Sequence, residues 1–309
     1  MTTLLFTHPI CIEHNPGTRH PECPDRLRAV VAALDGEAFS ALDRREAPVS
    51  DEAPIERVHS TDHIRQILDN VPTEDRVYLD PDTAMSPASG EAGLRAVGAA
   101  CAAVDAVMSG DGHNAFCAVR PPGHHAERDR AMGFCLFNTV AIAANHAKAA
   151  HGLSRVAVVD FDVHHGNGTQ SAFYDDETLF FGSSHQWPAY PGTGSVDETG
   201  ASNSNCNVTL VPGAGSREFR AAWANTILPE LETFGPELII ISAGFDAHAR
   251  DPLANLEVQT GDYAWVTKEI MAVADRCCDG RVVSSLEGGY DLSALAESAA
   301  VHVQALMDH

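Results

Sequence analysis

Residues 156–168 constrain the fold of this chain more than any other stretch. They read VAVVDFDVHHGNG, an unbroken apolar run that ends in two acids, two histidines and two glycines. Such a run is typical of a strand buried on both faces, as in a parallel sheet. Side chains alternate along a strand, so Asp160, Asp162 and His164 are predicted to lie on one side where the strand ends. In open α/β sheets, ligands bind at this carboxyl edge.

Other parts of the chain repeat the alternation of apolar strands with helical stretches. Three further buried strands are predicted within residues 115–119, 237–246 and 282–290, each followed by polar groups. Helices are predicted at residues 26–34, 91–108, 139–150 and 218–234 and at the end of the chain, with Asp25 as the cap of the first. This order predicts an α/β fold, a single domain over residues 1–309 with a mostly parallel sheet and helices on both faces. The polar residues 72–87 are expected to form a surface loop that could overhang a site.

Composition disfavours several classes of protein. The chain has 309 residues and 44% hydrophobic content, yet no uninterrupted apolar run approaches the roughly 20 residues of a membrane span. Its formal net charge of -23 repels nucleic acid, so neither nucleic acid nor membrane is expected as a partner. The 8 cysteines contain no Cys-x-x-Cys pair, which favours reduced thiols and a cytoplasmic location. Whether the acidic surface steers a cationic substrate or only aids solubility stays open.

Polar groups that follow different strands of one parallel sheet are expected to meet at one edge. Asp162, His164 and Asp246 would then offer zinc two carboxylates and one imidazole, and would leave a position for water and substrate. Zinc lowers the pKa of a bound water to about 7 and polarises a carbonyl group. The sequence therefore predicts a catalytic zinc centre at this edge.

The other strand-end groups are suited to proton transfer and to stabilising negative charge. His124 and His125 supply imidazoles that titrate in the useful pH range, and Asp160 and Asn167 are candidates to fix their tautomers. Tyr290 could donate a hydrogen bond to an anionic tetrahedral intermediate, an interaction worth about 3 kcal/mol. Each residue alone also fits a structural role. Their joint occurrence is what predicts a hydrolytic site.

Seven segments of the chain resemble the zinc-dependent histone deacetylase family, including its bacterial acetylpolyamine amidohydrolase and acetoin-utilisation relatives. They are residues 20–27 (HPECPDRL), 120–126 (RPPGHHA), 133–135 (GFC), 160–168 (DFDVHHGNG), 190–194 (YPGTG), 243–248 (AGFDAH) and 286–290 (LEGGY). These segments extend over most of the chain, and together they are highly specific. The resemblance implies a fold of the arginase and deacetylase type.

By this resemblance, the family's catalytic residues map onto strand-end groups of this chain. Asp162, His164 and Asp246 are implied as the zinc ligands, and Tyr290 as the group that polarises the substrate carbonyl. His125 is implied as the general base and then the general acid of the reaction.

The resemblance also implies partners for the two histidines. His124 is an electrostatic partner paired with Asp160. Asn167 stands where some members of the family carry aspartate, and asparagine there is similar to the class II pattern. This difference should leave His125 less strongly charge-stabilised.

A narrow tunnel for the acyl chain is implied as well. Gly133, Phe134 and Tyr190 would line it, and Gly288 and Gly289 are assigned to the same substrate site. Many members have phenylalanine where this chain has Tyr190, so the wall is expected to be more polar here.

Two further sites follow from the resemblance. Arg26 matches the arginine of the family's internal product channel. A potassium ion is expected beside the zinc, several of its ligands being backbone carbonyls, at Asp160, Asp162, His164, Ser183 and Ser184.

The sequence thus predicts a zinc-dependent amidohydrolase that removes acetyl or another short acyl group from an N-acylated amine, by means of a metal-activated water. The partner would be a small-molecule or peptide substrate of the acetyl-lysine or acetylpolyamine type. Two alternatives remain: a metal-bearing module that binds acyl-amines without hydrolysing them, and a binuclear manganese hydrolase of the arginase type. The second alternative needs further bridging acids, and Asp251 is the only near neighbour. The sequence leaves open which acylated amine is used and whether the chain forms a homo-oligomer.

Overall fold

An eight-stranded sheet in which every pair of neighbours is parallel organises this protein. The computed structural model describes residues 2–309. The strands are β1 Thr3–Thr7, β2 Asp43–Glu46, β3 Val77–Tyr78, β4 Ala84–Met85, β5 Asn114–Cys117, β6 Val156–Asp160, β7 Leu179–Gln186, β8 Asn205–Leu210, β9 Leu238–Ala243 and β10 Val282–Leu286. Their order in the sheet is β2-β1-β5-β10-β9-β6-β7-β8, while β3 and β4 form a separate antiparallel pair.

Helices cover the two faces of the sheet. They are α1 Ile10–Glu13, α2 Pro24–Leu34, α3 Glu52–Ile55, α4 Thr61–Leu68, α5 Ser89–Ser109, α6 Thr139–His151, α7 Asn167–Phe173, α8 Ser216–Ala222, α9 Leu228–Phe234, α10 Thr260–Cys278 and α11 Leu292–Met307. One layer contains α5 packed against α6, and another contains α11 packed against α2 and α10. The predicted α/β architecture, a mostly parallel sheet with helices on both faces, is confirmed.

The central strands are buried along their whole length. Every residue of β6, β9 and β10 is buried, as expected for strands that have a neighbour on each side and helices on both faces. Because these strands are parallel and adjacent, their carboxyl ends lie side by side at one edge of the sheet.

Several elements differ from the sequence-based expectations. Strand β2 was not expected because its sequence is entirely charged, which an edge strand tolerates since half of it faces solvent. The predicted surface loop 72–87 contains the β3–β4 pair. Helices α7 and α10 were also not expected.

The predicted helices 26–34 and 218–234 also need correction. Helix α2 begins at Pro24 after an extended Cys23, so Asp25 lies inside the first turn and is not the cap. Proline suits this position because it has no N–H to leave unpaired. The predicted helix 218–234 is divided into α8 and α9 by the π-helical turn Trp223–Ile227.

Helix α5 is long and apolar enough, by length and composition, to cross a membrane. Within the fold, 67% of its apolar 18-residue stretch is buried, and the helix packs against α6 and the sheet. The same composition is common in core helices, so this feature is weak evidence for a membrane span.

Phe161 anchors the core beneath the carboxyl edge of the sheet. Its ring is fully buried and lies within 6.3 Å, centroid to centroid, of the Trp223, Phe245 and Tyr263 rings. We expect Phe161→Ala to lower the free energy of unfolding by about 3–5 kcal/mol, because it removes a buried aromatic and leaves a cavity. The control Tyr78→Ala removes an aromatic side chain that is 63% exposed and should change it by less than about 0.5 kcal/mol. Urea denaturation measures the free energy of unfolding of both variants. An equal loss in Phe161→Ala and Tyr78→Ala would contradict this assignment of the core.

Candidate active site

Four adjacent strands deliver the predicted site residues to one edge of the sheet. Strands β5, β10, β9 and β6 are neighbours, and the loops that follow them carry the polar groups. The structure therefore brings together the side chains that the sequence predicted to meet. They are His124 and His125 after β5, Asp160, Asp162 and His164 at or after β6, Asp246 after β9, and Tyr290 after β10.

Asp162, His164 and Asp246 form a compact group of possible metal ligands. One donor atom of each lies within 4.8 Å of the others. His164 Nδ1 is 3.1 Å from Asp162 Oδ1 and 3.2 Å from Asp246 Oδ2. Both carboxylates are buried, and backbone N–H groups orient them: Val163 donates to Asp246 at 2.8 Å and Gly288 donates to Asp162 at 2.9 Å.

The chemistry of this trio fits a divalent zinc ion. Burial, together with the charge of Asp162, raises the pKa of Asp246 to about 7, so the group favours a neutralising cation. Burial disfavours protonation of His164, yet the two flanking carboxylates outweigh it and raise its pKa to about 10. Two carboxylates and one imidazole leave a zinc coordination position free. Space here is limited, because a side chain at Gly288 would collide with the carboxylates of Asp246 and Asp162.

A hydrogen-bond chain sets the tautomer of His125. The Asn167 side chain donates through Nδ2 to Glu127 Oε1 at 2.8 Å, which turns its carbonyl oxygen toward His125. His125 Nδ1 is 2.8 Å from that oxygen, so Nδ1 carries the proton and Nε2 keeps its lone pair. Burial, and then the charges of His124 and His164, hold the pKa of His125 well below its usual value. The ring is therefore a free base at neutral pH.

His124 occupies the opposite electrostatic state. Its Nδ1 lies 2.9 Å from Asp160 Oδ2, and its ring centroid is 4.0 Å from that of His125. Burial disfavours its protonation, but the charges of Asp162 and Asp160 dominate and raise its pKa to about 10. The tandem pair thus combines one charged and one neutral imidazole.

A cavity of about 230 Å³ opens onto these groups. It is lined by Asp82, His125, Gly133, Phe134, His164, Tyr190, Leu253 and Tyr290. The 72–87 segment contributes Asp82, which supports the expectation that this segment overhangs the site. Tyr190, 40% exposed, packs edge-on against His125, and the Phe134 ring lies 5.9 Å from that of Tyr290.

The predicted substrate residues divide into two groups. Gly133, Phe134 and Tyr190 line the cavity, as expected. Gly133 has a φ of +56°, and a side chain there would collide with the His125 ring. Gly288 and Gly289 are not among the residues that line this cavity, and their assignment to the substrate site stays a prediction. Gly288 donates its N–H to Asp162, and the Gly289 carbonyl accepts from the Arg26 guanidinium.

The two serines predicted for potassium lie on β7, the neighbour of the strand β6 that leads to Asp162 and His164. Ser183 is paired with Asp160 in the register of β6 and β7, and its hydroxyl lies 2.9 Å from His185 Nδ1. The Ser184 hydroxyl accepts a hydrogen bond from the Trp223 indole at 3.0 Å. The potassium site stays a prediction.

Several residues shape the site through contacts that the sequence did not predict. Glu127 orients Asn167, and the Glu287 carboxylate accepts the backbone N–H groups of Gly123 and His124 at 2.6 and 3.2 Å. Asp251 accepts the backbone N–H of Tyr290 at 2.7 Å. The sequence signal that these residues carry is an acid within or close to a recognised motif.

Asp251 bears on the arginase-type alternative. The donor atoms that meet at this edge belong to Asp162, His164 and Asp246, and Asp251 is not among them in the described residues 2–309. The extra bridging acid that a binuclear centre requires is therefore not among the donor atoms that meet here within that described part of the chain.

Comparison with known proteins agrees with this geometry. The family model described as the histone deacetylase domain matches residues 20–306. The chain belongs to the histone deacetylase family. The solved structure of the HDA15 HD domain superposes on this histone deacetylase domain with a TM-score of 0.94 at 33% identity, covering 100% of this chain and 90% of that one.

The names of two curated relatives of this histone deacetylase domain refer to different substrates. It is 36% identical to "Histone deacetylase 14, chloroplastic" of Arabidopsis thaliana, over 98% of this chain and 76% of that protein. It is also 36% identical to "Polyamine deacetylase HDAC10" of Mus musculus, over 99% of this chain and 46% of that protein. The chain therefore spans about half the length of the mouse relative.

The geometry at Asn167 yields a pH-dependent prediction for this deacetylase-family chain. Asn167→Asp places a carboxylate against His125 Nδ1 and should raise the pKa of that imidazole. A base with a higher pKa stays protonated to higher pH, so the acid limb of the profile of kcat/KM against pH should move upward. Asn145→Asp on α6 is the control and should leave the limb in place, because the Asn145 side chain donates a hydrogen bond to the Ala141 carbonyl and does not contact His125 within residues 2–309. An unmoved limb in Asn167→Asp would count against His125 as the base.

Proposed function

We propose that this chain is a zinc-dependent amidohydrolase that removes acetyl or another short acyl group from an N-acylated amine. The observation that carries the proposal is that His125, His164 and Tyr290 line the same cavity. A base with a free Nε2, one member of the metal-binding trio and a phenol therefore face one small space. These are the groups that hydrolysis of an amide by an activated water requires.

When bound, zinc would lower the pKa of a water molecule and polarise the acyl carbonyl. Asp162, His164 and Asp246 would hold the ion. In the proposed reaction, His125 Nε2 accepts a proton from the attacking water. The same nitrogen then passes the proton to the nitrogen of the leaving amine, so the C–N bond breaks without forming an unstable amide anion.

Tyr290 would serve as the hydrogen-bond donor to the carbonyl oxygen as it becomes negative. Burial, and then the charge of Asp246, raise the pKa of its phenol well above the usual value, so the hydroxyl keeps its proton. The Arg26 guanidinium lies over the Tyr290 ring at 4.9 Å, and Asp251 binds its backbone N–H. Both contacts hold the phenol in place before substrate binds.

His124 would remain protonated throughout the reaction. With a pKa of about 10 and Asp160 as its partner, it places a positive charge beside His125. That charge disfavours protonation of His125 in the resting enzyme. Once His125 has accepted a proton, the same charge favours transfer of that proton to the leaving amine.

The walls of the cavity favour a slender acyl group on a linear amine. Phe134 and Tyr190 provide aromatic surfaces, Leu253 is 42% exposed, and Asp82 adds one carboxylate. An apolar tunnel with a carboxylate accommodates an acylated lysine side chain of a peptide and an acylated polyamine alike. These two classes are the proposed substrates.

Three further predictions remain proposals. Potassium binding at Asp160 and Ser183 is supported by the buried carboxylate of Asp160, which ends β6 and is paired with Ser183 of β7. A cytoplasmic location is supported by eight free cysteines, which suit a reducing compartment. The third proposal, that the chain forms a homo-oligomer, can be tested by measuring its molar mass with light scattering.

Removal of single groups tests the proposed mechanism. We expect His125→Ala and Tyr290→Phe to keep zinc and to lower kcat by about 10²–10³-fold, because each deletes one group that acts in the transition state. Tyr263→Phe is the matched control, since it deletes a buried phenol hydroxyl that has no hydrogen-bond partner in the described residues. The control should retain full activity. Turnover close to wild type in either test variant would contradict the assigned roles.

Metal removal and a substrate panel separate enzyme from binding module. Chelation should abolish release of acetate from acetyl-lysine peptides or acetylpolyamines, and zinc should restore it. Asp246→Ala should bind zinc weakly and remain inactive even when zinc is supplied. Comparison of kcat/KM across the panel identifies the substrate class. Absence of chelator-sensitive release over the whole panel would favour the non-catalytic alternative.

A further inference from the structure

Two histidines of α6 and one aspartate of α5 converge on the surface of the protein. His146 Nε2 and His151 Nε2 each lie 2.7 Å from the same atom, Asp105 Oδ1. The three potential ligand atoms lie within 4.8 Å of one another. Neither histidine takes part in the proposed reaction, and the sequence alone indicates only structural or solvated roles for both.

We propose that Asp105, His146 and His151 form a second metal site, which binds a divalent transition metal of the zinc type. Two imidazole nitrogens and one carboxylate oxygen are ligands that zinc, nickel and copper favour. Magnesium and calcium prefer oxygen ligands throughout, so they fit this donor set poorly. A metal would replace the two hydrogen bonds that now converge on one carboxylate oxygen.

The free ring nitrogens leave room for the contacts that metal-binding histidines make. Within residues 2–309, neither His146 Nδ1 nor His151 Nδ1 has a hydrogen-bond partner on the protein. Nδ1 of each ring can therefore donate to water while Nε2 binds the ion. The side chains are 14% exposed for His146, 25% for His151 and 53% for Asp105. An ion can reach them, and water can complete its coordination.

The location also favours a cation. His151 is the last residue of α6, and Asp105 lies near the carboxyl end of α5. Helix carboxyl ends carry partial negative charge, which attracts cations. The net charge of -23 adds a long-range attraction for positive ions.

The second site lies at the opposite edge of the sheet from the active site. Helices α5 and α6 lead into the beginnings of β5 and β6, whereas the catalytic groups follow the ends of these strands. The site would link the ends of two helices that pack against each other, and its loss should leave catalysis unchanged. The inference therefore goes beyond the proposed function and does not depend on it.

Metal counting tests the site. The full chain is stripped with a chelator, reloaded with excess Zn²⁺, passed through a desalting column and analysed for zinc by mass spectrometry. Wild type should retain one more zinc per chain than Asp105→Asn or His151→Gln. Because the result is a difference, it holds whether or not the active site is loaded. Zn²⁺ should also raise the Tm of wild type more than that of either variant.

A matched control comes from a surface pair with only one imidazole. His309 Nε2 lies 2.8 Å from Asp275 Oδ2, so His309→Gln removes a paired histidine without touching the cluster. It should retain the wild-type zinc count. Circular dichroism checks that each variant is folded. If Asp105→Asn is unstable, His151→Gln at the partly exposed end of α6 is used as the test variant in its place. Equal zinc counts in wild type and the cluster variants, or loss of the extra zinc from wild type on the column, would overturn the proposal.

Discussion

Burial of negative charge at the carboxyl edge of the sheet is the constraint on which the rest of the structure depends. Asp160, Asp162 and Asp246 are at most 1% exposed and lie within one small region. Ionised groups in such surroundings are costly unless they are paired and hydrogen-bonded. His124 and His164 and several backbone N–H groups provide this compensation. A resident divalent cation would complete it, which links the stability of this edge to its chemistry.

A second buried ion cluster holds the loops around the site. Burial would raise the pKa of Glu22, but Arg120 and His14 hold it well below its usual value. Arg120, which precedes the histidine pair, also donates to the backbone carbonyls of Cys11 and His14. Arg26 bonds to Glu22 and reaches the carbonyl of Gly289, the residue before Tyr290. One buried carboxylate thus ties the start of the chain to both the histidine and the tyrosine loops.

Much of this arrangement was predictable because its signals are local. An apolar run that stops at an acid marks both a buried strand and the edge where its polar end emerges, as at Asp160 and Asp246. Strand β2 escaped prediction since its charged residues suit only an edge position, and so did the contact between Gly288 and Asp162. That glycine provides a backbone N–H for Asp162. Its sequence context shows the need for a small residue but not the group that needs the space.

The sequence by itself determined the alternation of buried strands with helices and the donors at each strand end, because alternation and periodicity operate over a few residues. These donors in turn determine the chemistry open to the site. Only the tertiary structure decided how those donors are oriented. The proton position on His125 depends on Asn167 and, through it, on Glu127. The meeting of Asp105 with His146 and His151 depends on the packing of two helices. Such contacts join residues about 40 positions apart, and no local pattern specifies them.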